Sequence, residues 1–168
     1  MAAGRTYTPI ATTTLSSTAT SVSFTGISST YTDLKIIATG KRVSGGALAI
    51  RFNNDTATNY SKTRFAGNGT TASTGIDTSS SSIGTNGWND AYDQLYEIDI
   101  MSYSNSTTYK TALVRMAADE NGGGEVSRIV GLWRSTSAIN RVDLLITSGT
   151  SATRFSPGFI SLGTATRM

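Results

Sequence analysis

Neither cysteine nor histidine occurs anywhere in the 168 residues. Without cysteine there are no disulfides, no thiolate metal sites and no thiol nucleophile, and the redox compartment stays unreadable. Without histidine the commonest general base and the imidazole metal ligand are missing too. Serine is abundant but would need a lysine or a carboxylate to activate it. No Ser-x-x-Lys occurs, and Lys35, Lys41, Lys62 and Lys110 sit in plain settings. No glycine-rich phosphate loop ending in Gly-Lys-Ser/Thr is present. These absences point away from an enzyme, so no catalytic residue is assigned and no cofactor or metal is expected.

Long apolar runs are also missing. No stretch approaches the roughly 18 apolar residues that a spanning helix needs, so no membrane partner is expected. The opening MAAGRTYTPIATTTL lacks the charged start and apolar stretch of a signal peptide, which leads to an expectation of synthesis in a cytoplasm. Charge is sparse and mildly basic, with 14 Lys and Arg against 11 Asp and Glu. The basic residues are scattered from Arg5 to Arg167 with no clustered patch, so direct nucleic-acid binding is not expected.

What the chain does have is hydroxyls: 28 Thr and 23 Ser, with 17 Gly. That composition is poor in helix formers and rich in strand and turn formers. Short segments with two-residue alternation recur between turn signals. Thr6–Leu15 reads as an extended arm or first edge strand, marked by Pro9. Val22 and Phe24, then Leu34 and Ile36, then Leu48, Ile50 and Phe52, each share a face. Tyr96, Ile98 and Ile100 alternate with Glu97 and Asp99, and Ala112, Val114 and Met116 with Thr111 and Arg115. Ser127–Arg134, Arg141–Thr147 and Phe159–Gly163 complete about nine strands, with essentially no helix. Asn53-Asn54-Asp55 and Asp119–Glu125 read as turns, the second as a hairpin. The expectation is one all-β domain over residues 16–168, an antiparallel two-sheet sandwich with jelly-roll-like connectivity. Gly67–Gly87 (GNGTTASTGIDTSSSSIGTNG) is low in complexity and reads as a long loop, mobile or ordered by a neighbouring subunit.

Four features invite chemistry. Asp90, Asp93, Glu97 and Asp99 lie beside Trp88, Tyr92 and Tyr96, as acids and aromatics do in sugar clefts. The alternation makes Glu97 and Asp99 the solvated face of a strand instead. Asp119, Glu120, Asn121 and Glu125 carry oxygen ligands that calcium would accept, but their spacing fits a solvated hairpin better. Sequons at Asn54, Asn59, Asn68 and Asn105 are no more than chance supplies in so Ser/Thr-rich a chain. Trp133 lies in an apolar run and reads as core, whereas Trp88 sits among turn residues and needs either a core or a partner.

Several stretches taken in order carry a resemblance: YTPIATTTL (Tyr7–Leu15), the Val22/Phe24 strand followed by TYTDL (Thr30–Leu34), RFNNDTATNYS (Arg51–Ser61), TTYKTALVR (Thr107–Arg115) and VGLWRSTSAINRVDLL (Val130–Leu145). Together, from Tyr7 to about Leu162, they resemble small virion proteins of tailed bacteriophages of the cyanophage and marine phage type. The resemblance implies a β-sandwich virion component, without catalytic residues. It would be either a head-decoration (cement) protein, typically a homotrimer bound to the major capsid protein, or a tail, baseplate or fibre component. The second role leaves room for host glycan binding through Trp88, Tyr92, Asp90 and Asp93. Either role places the chain in the virion after synthesis in the host cytoplasm. The residues expected at subunit contacts are Tyr7, Pro9, Ile10, Ile76, Ile83, Trp88 and Tyr92. The final strand is expected to end at Gly163, ahead of a polar tail, Thr164–Met168.

Overall fold

The structure is a computed structural model that describes residues 7–41, 46–85 and 91–147, together with the backbone of 159–165. Twelve strands and no helix make up the described residues. They are β1 (Tyr7–Thr14), β2 (Ser21–Thr25), β3 (Asp33–Gly40), β4 (Ala47–Phe52), β5 (Tyr60–Gly67) and β6 (Ala72–Ser80). Then come β7 (Ile83–Gly84), β8 (Gln94–Met101), β9 (Lys110–Asp119), β10 (Gly124–Trp133), β11 (Arg141–Thr147) and β12 (Phe159–Ala165). An eight-stranded sheet runs β1-β12-β3-β8-β9-β10-β5-β6 and a four-stranded sheet runs β2-β11-β4-β7, with every pairing antiparallel.

This order has the form of a jelly roll. The frame is β2-β11-β4-β7 in one sheet against β3, β5 and β6 in the other. The single strand that would sit between β3 and β5 is replaced by the meander β8-β9-β10, and β1 and β12 are added outside β3. Inward side chains of both sheets form one core. Val22, Phe24, Leu48, Ile50, Phe52, Ile83 and Leu144 meet Leu34, Ile36, Tyr96, Ile98, Ile100, Val114, Ile129 and Trp133. Each large side chain so buried stabilises the fold by roughly 1.5–3 kcal/mol. The alternation read from the sequence in β2, β3, β8 and β9 matches this burial, and in β4 Leu48, Ile50 and Phe52 are buried as read while Ala49 on the other face is buried too.

One end of the core is aromatic. The Tyr60 and Trp133 rings stack 6.3 Å apart with 16° between their planes, and Phe52 leans on Trp133 at 5.6 Å. The Tyr60 hydroxyl accepts from the Phe52 amide at 3.1 Å and donates to the Phe52 carbonyl, and burial pushes its pKa well above the usual tyrosine range. Asn53 and Asn54 (φ 50° and 56°) make the turn into this corner in the left-handed region that asparagine tolerates.

Two expectations need correction, and one strand went unread. The segment from Gly67 to Thr85 is not a structureless loop, because it contains β6, paired along β5, and β7, paired with β4. Ser and Thr backbones ladder as well as apolar ones at a sheet edge, where little burial is required. Asn86 and Gly87 lie outside the described residues. Next, Tyr60–Gly67 is a strand that the alternation did not reveal. Its inward Lys62 and Arg64 reach past the edge of the small sheet to the Gly84 carbonyl, Asp77 and Ser73. Finally, β12 runs on to Ala165 between β1 and β3 and does not stop at Gly163.

Candidate interaction face

The outer surface of the eight-stranded sheet carries an apolar array. On β10 the inward residues Ile129 and Trp133 are buried, yet the outward Val126 and Val130 are apolar too, and 61% and 52% exposed. A strand that is apolar on both sides belongs in a sheet covered on both sides. Neighbouring strands extend the pattern in rows across the sheet. One row runs Leu95, Ala117, Val126, and another runs Leu113, Val130, Thr63, Ile76. Between them lies a row of Ile37, Glu97, Arg115, Arg128 and Phe65. Ile37, Leu95, Phe65 and Ile76 are all exposed, Ile76 most of all at 70%. Phe65, Leu113 and Val130 line a shallow apolar depression of about 470 Å³.

The charges on this face are arranged in pairs. Arg115 bonds Glu97 at 2.9 Å and approaches Asp99 at 3.7 Å, and Lys35 bonds Asp99 at 2.9 Å. Arg128 stands opposite Arg115 with no ion pair among the described residues. The face is therefore apolar with one uncompensated cation near its centre. Glu97 and Asp99 are on the outer face as the alternation indicated, where they neutralise cations.

The sequence candidates distribute unevenly over the molecule. Tyr7 lies at one end of the same face, its ring 5.9 Å from the Lys35 ammonium. Ile76 lies at the other end, and Pro9 and Ile10 are exposed on β1 where its register shifts. Tyr92 is exposed, just ahead of β8. Ile83 is corrected: it is a fully buried core residue under Gly131, not a contact residue. Trp88 and Asp90 lie outside the described residues. Asp119–Glu125 forms the β9–β10 hairpin, with Asn121 and Gly122 at positive φ.

Sequence reasoning missed the face itself. Its signal was the unbroken run Ile129–Trp133, which reads as core. It also missed that Lys110 is fully buried, donating to the Thr108 and Thr136 carbonyls at 2.6 and 3.1 Å. Burial holds its ammonium below the usual lysine range. Comparisons of the chain with protein-family models, with curated proteins and with solved structures give no match.

Proposed function

We propose that this chain is a non-enzymatic structural protein of a tailed-bacteriophage virion, working as a head-decoration subunit that packs on the capsid through the outer face of its large sheet. The observation that carries the reading is the two-sided apolar character of β10, with Phe65 of β5 and Leu95 of β8 exposed on the same surface as its Val126 and Val130. Contiguous exposed apolar area of this kind marks interaction sites. The ordered sequence resemblance to small phage virion proteins supports the same reading, and a jelly-roll-type sandwich is an architecture used in viral shells.

The partner that fits is a protein surface with apolar side chains and a carboxylate placed to meet Arg128. Covering Val126, Val130, Phe65 and Leu95 supplies the affinity, and the Arg128 pair sets the register. Repetition over a shell makes modest individual contacts effectively permanent.

The copy number of this chain in purified particles, by quantitative mass spectrometry against the major shell protein, tests the reading. Hundreds of copies support decoration of the head. A few to several dozen would move the chain to the tail and to host attachment. Its absence from the particle would refute both.

A further inference from the structure

Asparagine followed by glycine is chemically labile. The glycine nitrogen can attack the asparagine side-chain carbonyl, because no Cβ on the glycine hinders its approach. The chain holds three such pairs, Asn68-Gly69, Asn86-Gly87 and Asn121-Gly122. Asn86 and Gly87 lie outside the described residues. The other two pairs are both exposed, and both sit at the tips of hairpins, β5–β6 and β9–β10. Sequence alone gives them similar reactivity.

The structure separates them. Asn68 Oδ1 accepts three hydrogen bonds, from the Thr70 amide at 3.1 Å, the Thr70 hydroxyl at 3.0 Å and the Thr71 amide at 2.7 Å. Asn105 is held in the same way by the Thr107 amide, the Thr107 hydroxyl and the Thr108 amide, at 2.6, 2.9 and 3.0 Å. In both places a threonine two residues on helps to pin the side-chain carbonyl. Asn121 has glycine at that position, Gly123. Its backbone N–H donates to Asp119 Oδ1 at 3.0 Å, but its side chain has no hydrogen-bond partner among the described residues. The Glu120 amide closes the loop on the Gly123 carbonyl at 3.1 Å. Asn121 and Gly122 take φ of 53° and 113°, the positive pair that Asn-Gly favours in a hairpin. Three successive glycines, Gly122 to Gly124, then leave the backbone free to rotate the attacking nitrogen onto the asparagine carbonyl.

We propose that Asn121 is a site of spontaneous deamidation in the folded chain, and that Asn68, with the same glycine neighbour, is protected by its three hydrogen bonds. The Gly122 nitrogen gives its proton to solvent base and bonds to Asn121 Cγ. The Cγ–Nδ2 bond breaks, and ammonia leaves with that nitrogen. Water then opens the cyclic imide. Attack at Cγ gives aspartate, and attack at the main-chain carbonyl gives isoaspartate. Nothing is oxidised or reduced. Either product lowers the net charge of +3 by one. The new carboxylate stands in a hairpin that already carries Asp119, Glu120 and Glu125, where like charges repel. Isoaspartate also adds a methylene to the main chain of the turn that sets the β9–β10 register.

This modification goes beyond the virion reading and does not depend on it. The test holds the full wild-type chain folded in mildly alkaline buffer at body temperature and, in parallel, unfolded in guanidinium chloride. Peptide mapping by mass spectrometry follows the acid form at each asparagine over time. In the folded chain Asn121 should convert at least about tenfold faster than Asn68, whose side chain must first leave its three donors. In denaturant the two rates should converge. Asn68 converting as fast as Asn121 in the folded chain would overturn the proposal. So would a folded Asn121 that stays intact while the unfolded chain converts. A difference that persisted in denaturant would assign it to flanking sequence and would overturn the proposal as well.

Discussion

Trp133 on β10 donates its indole N–H to Asp55 Oδ2 at 2.7 Å, tying the end of the meander to the β4–β5 turn across 78 residues of chain. Asp55 also accepts from the Asn59 side chain and the Ala57 amide, both at 2.9 Å. Burial raises its pKa, but the bonds from Asn59, Trp133 and Ala57 outweigh burial and hold the carboxyl below its ordinary value.

Asp55→Asn is expected to cost about 1–3 kcal/mol at neutral pH, because charge-assisted bonds are lost. A carboxyl whose folded pKa is depressed contributes stability above its unfolded value of 3.8, and that stability is lost as pH falls through the folded value. The gap in melting temperature between wild type and variant should therefore close below that pH. Thermal unfolding followed by circular dichroism across the acid range checks this.

The Tyr60 hydroxyl titrates in the opposite sense. Its folded pKa is raised, so its contribution is complete below the unfolded value of 10.0 and is lost as pH rises beyond it. Tyr60→Phe leaves the Phe52 amide without its side-chain acceptor and is expected to cost about 1–3 kcal/mol at pH 7. The difference from wild type should narrow above pH 10. Urea unfolding at neutral and alkaline pH measures both.

Gly131 on β10 lies directly against Ile83 of β7 in the other sheet. A methyl group there would meet Ile83 Cγ2 and Cδ1 at 2.6 and 2.7 Å. Gly131→Ala is expected to cost about 1–3 kcal/mol by overpacking, and Ile83→Ala about 2–5 kcal/mol by leaving a cavity. The added methyl partly fills that cavity, so the double variant should be more stable than the sum of the single losses. A double-mutant cycle in urea gives the coupling directly.

The fold class was legible because β2, β3, β8 and β9 each bury one face, which writes period-two alternation into the chain. What escaped was everything at the margins of the core. β5 turns Lys62 and Arg64 inward where the small sheet ends, so its inner face is not apolar. β6 has Ile76 as its only large apolar side chain, and it points outward. β7 contributes one buried residue, Ile83, set in a serine run. The apolar outer face was hidden by the opposite effect, since Val130 and Leu132 fall in the run Ile129–Trp133, which reads as core in a sequence that does not say which sheet face is covered.

Docking through that face is the central claim, and Val126→Lys/Val130→Lys is its most direct probe. Both positions are more than half exposed, so the fold should change little, within about 0.5 kcal/mol per site. Particles from a phage deleted for this gene are mixed with purified wild-type or doubly substituted chain, and the bound copies are counted by quantitative mass spectrometry. The account predicts hundreds of wild-type copies per particle and a loss of about tenfold or more in affinity for the variant, the change that about 1.4 kcal/mol produces. Equal binding of a folded variant, or no binding of the wild type, would contradict it.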